Sequence, residues 1–385
     1  PTYEREGIEA EEVAILRQRD LSEHVTGAGD RSQVFLELLS SPTLASKRWI
    51  YDQYDTTVRG NSVVQPGGDA GVLRIEGTPA GIAATTDCNG RYCYLHPRRG
   101  AKIAVAEAAR NLVCVGALPT AVTNNLNFGS PLKPPIYYQF REAILGMKEA
   151  CLVFETPVTG GNVSFYNETD GVAIYPTPVI GMVGIVENVD HLTGHAFAEE
   201  GDAILLLGES RGELGGSEYL YALRGEVAGP PPDVDLLAER RLQHAVLAMV
   251  QQDGIRSAHD CSEGGLAVAL AECALADREA PRGIEVELPP DLPPVPLLFG
   301  ESQGRIVVSC APDAVAEAIR FARRHGVPCR EIGRVGGPEG RFRISTGESG
   351  VDLAPREMAD AYYGALPRIM DSVPDSRSTP APTSS

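Results

Sequence analysis

The sequence predicts an α+β protein of two domains, and three observations carry that prediction. A chain of 385 residues is longer than one hydrophobic core comfortably serves. Short β-like runs cluster between residues 60 and 90 instead of alternating one-for-one with helices, which disfavours a doubly wound parallel sheet. A strand-and-helix pattern then begins afresh beyond the stretch 191–201.

Taken in chain order, residues 1–45 read as a helical lead-in or linker, with helical stretches over 11–19 and 33–39. The first domain is expected over 46–190. Within it, 62–64, 72–75 and 81–86 are strand-like runs separated by Pro and Gly. Small and apolar residues recur at helical spacing over 101–115 and 136–154. Residues 119–122 read as a strand, Val158 leads into a glycine-rich loop, and 179–186 is apolar enough for a buried strand. The second domain, 200–345, opens on a buried strand at 203–207. Helices over 236–252, 265–276 and 314–325 and a strand at 305–309 follow, with 289–296 as a rigid Pro-rich surface connection. Residues 346–385 read as a tail, disordered from about 372 where Ser, Thr and Pro dominate.

Hydrophobic residues make up 43% and charged residues 22%, the proportions of a soluble globular protein. A formal net charge of -18 argues against nucleic acid and anionic membrane as partners, yet leaves room for a nucleotide held by a local loop and a metal. None of the eight cysteines sits in a CxxC pair, so free thiols in a reducing cytoplasm are expected. No apolar run has the length of a membrane span and no basic-apolar leader opens the chain. The first residue is Pro1 rather than Met, as in a fragment or a processed product.

The strongest local signal is Thr159-Gly160-Gly161-Asn162-Val163-Ser164. Paired glycines let backbone N–H groups approach an anion, Asn162 offers a carbonyl oxygen to a hard cation such as Mg²⁺, and Ser164 offers a hydroxyl. The competing reading is a tight turn between strands. Asp87 closes an apolar strand, as a metal-binding carboxylate or an Asx turn. Glu107 and Arg110, at i,i+3, suit an ion pair on a solvated helix face, with Asn111 beside them. Asn124, Asn125 and Asn127 fall in what reads as a loop after a strand. In the second unit Asp260-Cys261-Ser262-Glu263-Gly264-Gly265 opens a helix, suited to an anion, to a metal at Asp260 or to plain capping by Ser262. Glu301, Ser302 and Gln303 form a polar turn entering a strand, and His24 reads as a solvated helical histidine. The remaining histidines suggest no catalytic arrangement.

Together these segments resemble the synthetase subunit of phosphoribosylformylglycinamidine synthase, the PurL type, and more closely its second half. The resemblance runs from about Leu38 to Val335. It is carried by Ser46-Lys47-Arg48-Trp49, Gln65-Pro66-Gly67-Gly68-Asp69-Ala70, Ala106-Glu107-Ala108-Ala109-Arg110-Asn111, Leu126-Asn127-Phe128-Gly129, Gly160-Gly161-Asn162-Val163-Ser164, His259-Asp260-Cys261-Ser262-Glu263-Gly264-Gly265 and Phe299-Gly300-Glu301-Ser302-Gln303. It implies a two-domain AIR synthase-like architecture, with an N-terminal mixed sheet-and-helix domain that pairs in a pseudodimer and a C-terminal α/β sandwich-type domain. It further implies an ATP- and Mg²⁺-dependent C–N ligase of purine synthesis, which phosphorylates the amide oxygen of formylglycinamide ribonucleotide so that ammonia can displace it. The implied partners are the first-half synthetase domains, a glutaminase subunit and, as a further candidate, a small accessory subunit.

By the same resemblance Gly161 and Asn124 would contact ATP, Asn162 the Mg²⁺ and Ser164 the ribonucleotide. Asn124 stands where the family often has an aspartate. The family's catalytic histidine precedes this region, and His24 lacks its surrounding pattern, so no catalytic residue is assigned. A second, altered nucleotide site is implied at Asp87, Arg110, Asn111, Asp260, Glu301, Ser302 and Gln303, with Thr85 in place of a lysine and Asn111 in place of an aspartate. Two alternatives stand beside this reading: a self-contained aminoimidazole ribonucleotide synthetase or selenophosphate synthetase, and a non-catalytic structural half.

Overall fold

The computed structural model describes residues 5–25, 29–347 and 349–372. The first domain is built on a six-stranded sheet in the order Ser62–Val64, Gly71–Arg74, Gly81–Asp87, Thr177–Val186, Leu118–Asn127, Val158–Ser164. Every neighbouring pair is antiparallel except the last, where the helix Pro134–Phe154 returns the chain and makes the pairing parallel. Strict burial alternation along Thr177–Val186 shows how the sheet is used. Its even-numbered residues, such as Ile180 and Met182, face the helices Pro97–Cys114 and Pro134–Phe154 and share a core with Val72, Ala83 and Val122. Each large side chain buried there contributes roughly 1.5–3 kcal/mol. The two helices cross so closely that a Cβ on Gly146 would lie 2.1 Å from the Arg98 carbonyl oxygen, which is why a glycine stands there.

Among the described residues no helix lies over the opposite face of this sheet. Leu73, Ile82, Leu118 and Ile185 project from it and are 54%, 41%, 47% and 39% exposed. A cross-strand register of Ile82 with Ile185 and of Leu118 with Ile185 gathers them into one patch.

The second domain carries a seven-stranded sheet, ordered Ser257–Asp260, Ile306–Cys310, Ala203–Leu207, Cys329–Val335, Ile284–Glu287, Phe342–Ser345, Gly350–Leu353. Its strands Ala203–Leu207 and Ile306–Cys310 are buried at every residue because helices cover both faces. On one side lie Gly265–Leu275, Arg31–Leu39 and Pro355–Ser372; on the other lie Leu236–Gln251 and Val315–Arg324. Val113 and Cys114, from the last turn of the first domain's helix, enter that second core and fasten the domains together. Among the described residues no helix is long and apolar enough to cross a membrane.

Several sequence expectations are corrected. Residues 31–39 are no linker: Phe35, Leu38 and Leu39 are fully buried in the second domain, on the side of its sheet opposite Val113 and Cys114. Residues 350–353 and 355–372, expected as tail, form the edge strand and a helix that buries Met358; the expected disorder beyond falls on 373–385, outside the described residues. The end of the expected surface connection 289–296 is instead the start of a helix, Pro294–Phe299, with Val295, Pro296 and Leu297 buried. His24 is buried rather than solvated, with Nε2 3.5 Å from Glu226. All eight cysteines are free, and five of them are buried.

Candidate functional site

The glycine-rich segment is a strand and not a loop. Val158–Ser164 is the edge of the first sheet, and Thr159 to Val163 are exposed. Its partner Leu118–Asn127 runs through the three asparagines that sequence placed in a loop. The parallel register sets Asn124 opposite Gly161, Asn125 opposite Asn162 and Asn127 opposite Ser164. Residues directly opposite share a face, and Asn125 also lies opposite Val179, an odd-numbered residue of the uncovered face. Asn125, Asn127, Asn162 and Ser164 therefore stand on the same open face as the apolar patch, at its other end.

Gly161 is required by contact. A Cβ there would lie 2.1 Å from Asn124 Oδ1 and 2.5 Å from the Asn124 carbonyl oxygen, whereas one on Gly160 would meet nothing within 4 Å. Asn162 donates from Nδ2 to Asn125 Oδ1 at 3.3 Å, so its own Oδ1 is the end left to solvent. Asn127 Nδ2 donates to the Asn125 carbonyl at 3.0 Å. Ser164 Oγ lies 3.3 Å from Asn167 Oδ1, and Asn167 Nδ2 donates to the Phe128 and Ser164 carbonyls at 3.1 and 3.0 Å. The wall thus offers amide and hydroxyl oxygens and a glycine surface that a flat or phosphorylated ligand can approach, and among the described residues that form it none has an ionised side chain. One neutral oxygen from Asn162 fits a hard cation chemically but falls far short of a full shell. Among the described residues no group of three or more His, Cys, Asp or Glu is placed to hold a metal ion.

The residues expected in a second site separate into three places. A cavity of about 420 Å³ between the domains is lined by Thr85, Asn111 and Asp260, with His195, His259 and Ser262. Asp87 sits beside it, accepting from Asn111 Nδ2 at 3.3 Å. Burial first, then the charges of Glu263 and Asp260, push the Asp87 carboxyl well above its ordinary range; burial and Asp87 do the same to Glu107. Arg110 lies behind the cavity wall and is fully buried, not on a solvated face. Its Nε donates to Asp260 Oδ1 at 2.5 Å, Nη1 to Glu239 Oε1 at 2.7 Å and Nη2 to Gln303 Oε1 at 2.8 Å. Asp260 thus reaches the cavity with its carboxylate already spoken for by a guanidinium, which leaves little for a metal.

Glu301, Ser302 and Gln303 do not line that cavity. All three are buried, and they hold turns together. Glu301 accepts from the Gly264 and Glu218 N–H groups at 2.7 and 2.8 Å and from the Tyr92 hydroxyl, while Ser302 Oγ accepts from Arg211 N at 3.0 Å. Nor does Ser262 cap the following helix: Gly264 is the cap residue, and its φ of 79° suits glycine.

Burial, then the Glu263 charge, push the Glu301 carboxyl from its ordinary 4.5 up to about 7. A raised folded-state value means that its contribution to stability is fully present below about 4.5 and is lost as pH rises through about 7. Glu301→Gln keeps the acceptor oxygen but cannot ionise. We therefore expect the stability of Glu301→Gln relative to the parent to rise between about pH 5 and about pH 8, read from urea midpoints. A difference that is flat across that range would contradict the assignment.

One constellation was invisible in the sequence. His259 Nδ1 lies 2.9 Å from Asp69 Oδ2 and its Nε2 lies 3.0 Å from Glu272, with the His195 ring 5.3 Å away. These carboxylates hold the His259 imidazole well above its usual range against burial, and Asp69 also accepts from Asp260 N at 3.0 Å. Asp69 was visible only as part of the Gln65-Pro66-Gly67-Gly68-Asp69-Ala70 segment of the resemblance.

Two domains of this topology, packed against each other and with a polar wall on an open sheet face, are the architecture of the AIR synthase-related class. The chain belongs to that family: residues 67–186 match the AIR synthase related protein N-terminal domain and residues 199–345 its C-terminal domain. It is 51% identical over 370 residues to phosphoribosylformylglycinamidine synthase subunit PurL of Moorella thermoacetica, covering 96% of this chain and 50% of the relative. The same subunit of Alkaliphilus metalliredigens is 47% identical over 373 residues, covering 97% of this chain and 50% of that relative. Among solved structures, T. maritima PurL complexed with FGAR superposes with a TM-score of 0.67 at 22% identity, over 86% of this chain and 54% of that one. The chain thus spans about half the length of the curated relatives it matches.

Proposed function

We propose that this chain is one half, the second, of a phosphoribosylformylglycinamidine synthase, and that it contributes one wall of the active site. The reaction is the ATP-dependent amidation of formylglycinamide ribonucleotide by glutamine-derived ammonia, a cytoplasmic step of purine synthesis. The observation that carries the reading is the placement of Gly161, Asn162 and Ser164 on an exposed edge strand, continuous with an uncovered apolar sheet face. A wall of uncharged acceptors beside an apolar patch is a site awaiting its charged half, and a second pair of such domains would cover the patch.

An amide oxygen leaves poorly until it is phosphorylated, and Mg²⁺, when bound, neutralises the triphosphate for that transfer. On this reading Asn162 Oδ1 would supply one oxygen to the metal and Ser164 Oγ would orient the ribonucleotide, while Gly161 at the strand edge, with Asn124 opposite it on the other face of the sheet, would lie against the nucleotide. The acidic ligands, the catalytic acid–base group and the glutaminase come from other polypeptide. The cavity at Thr85, Asn111 and Asp260 takes no part in the chemistry: no lysine is among the described residues that line it, and Arg110 occupies Asp260.

The test is complementation. This chain alone should form no amidine from ATP, formylglycinamide ribonucleotide and ammonia, and activity should appear when the first-half polypeptide is added. Ile82→Asp, which charges the open face at an already exposed position, should weaken that association by at least about tenfold in sedimentation while leaving the melting temperature near the parent's. Amidine formation by this chain alone would overturn the reading.

A further inference from the structure

We propose that Asn125 is a positioning residue for this wall: it decides which end of the Asn162 amide faces the opening. The inference rests on the reading of Asn162 as an oxygen ligand to the metal. An asparagine side chain presents either an oxygen or an NH₂ group, related by a half-turn of nearly isosteric atoms, so packing alone does not choose between them. On the exposed edge strand Asn162 has one side-chain partner among the described residues, Asn125, whose Oδ1 receives its Nδ2 at 3.3 Å. That bond turns Oδ1 outward. Without it, half of the accessible orientations would present NH₂ to a cation, which cannot bind it.

Position in the sheet makes Asn125 the reference and Asn162 the dependent group. Asn125 belongs to an interior strand, flanked by Thr177–Val186 on one side and Val158–Ser164 on the other. Its backbone is tied further by Asn127, whose Nδ2 donates to the Asn125 carbonyl at 3.0 Å and to that of Thr177 at 3.3 Å. Asn162 lies on the edge, with only one neighbouring strand to restrain it. Asn125 acts wholly through Asn162, as an outer partner that orients a ligand.

The experiment uses the synthetase assembled from both halves and reads the Mg²⁺ concentration that half-saturates ATP binding in calorimetry. Asn125→Leu, close in size but without an acceptor, should raise that concentration about tenfold while leaving the KM for the ribonucleotide unmoved. Asn125→Asp, which can only accept, should stay within about twofold of the parent. A merely structural role would move both variants, and the ribonucleotide KM with them. Asn162→Ala is the reference variant and should raise the half-saturating Mg²⁺ at least as much as Asn125→Leu. If Asn162→Ala raises it and Asn125→Leu does not, the positioning role is wrong. If Asn162→Ala leaves it unchanged, Asn162 is no ligand and the inference falls with that reading.

Discussion

Gly161→Ala should reduce the activity of the proposed two-half synthetase by at least about a hundredfold, an effect of about 2.7 kcal/mol on the barrier. The cause is a collision with two parts of one residue. A methyl at position 161 would lie 2.1 Å from Asn124 Oδ1, and side-chain rotation can relieve that contact. It would also lie 2.5 Å from the Asn124 carbonyl oxygen, and relieving that contact moves the strand itself. Because Asn124, Gly161 and Asn162 are neighbours in the ladder, separating the two strands displaces the whole proposed ATP- and metal-facing wall. An overpacked contact of this kind costs roughly 1–3 kcal/mol of folding stability, so the variant should still fold. Gly160→Ala is the control, since its Cβ would meet nothing within 4 Å, and its stability should change by no more than about 0.5 kcal/mol. Steady-state kinetics with ammonia and urea unfolding of both variants check the pair. Wild-type kcat/KM in Gly161→Ala would remove the wall from the active site.

The same segment shows what could and could not be read from sequence. Gly160, Gly161 and Asn162 were legible as a site because their chemistry is local. Their conformation was not, because glycine and asparagine are poor strand formers and a strand made of them exists only through its partner. That partner, itself asparagine-rich, lies some 37 residues earlier, and hydrophobic periodicity says nothing about it. Thr177–Val186 and Ala203–Leu207 were legible for the opposite reason: alternation in the first and unbroken apolarity in the second reflect burial directly. Residues 31–39 and 355–372 were read as periphery because short helices joined by polar linkers look alike whether or not a core lies beneath them. Only the tertiary fold shows Phe35 stacking on Phe342, at 5.8 Å between ring centroids. The Asp69–His259 contact, across 190 residues, left no trace in local pattern at all.

Arg110 is the sharpest case, and its removal should have the largest effect on stability. Sequence paired it with Glu107 on a wet helix face, where such a pair contributes a few tenths of a kcal/mol. In the structure Glu107 Oε2 is 3.8 Å away, while Asp260 and Glu239 hold the guanidinium at 2.5 and 2.7 Å in a fully buried site. Arg110→Met keeps much of the volume but leaves two buried carboxylates without their cation, which should cost about 3–5 kcal/mol at neutral pH. Burial already raises the Asp260 and Glu239 carboxyls against the pull of Arg110, and without the arginine both rise further. A carboxyl raised in the folded state favours folding at low pH and opposes it as pH climbs, so the deficit of the variant should be small near about pH 5 and grow towards about pH 8. Arg110→Lys should recover part of the loss, since one ammonium neutralises charge but cannot reach Asp260, Glu239 and Gln303 together as the planar fork does. Urea unfolding at the two pH values decides the matter. A deficit independent of pH would mean that Asp260 and Glu239 bind no extra proton when Arg110 is removed, and that the lost packing of Arg110, not its charge, sets the cost.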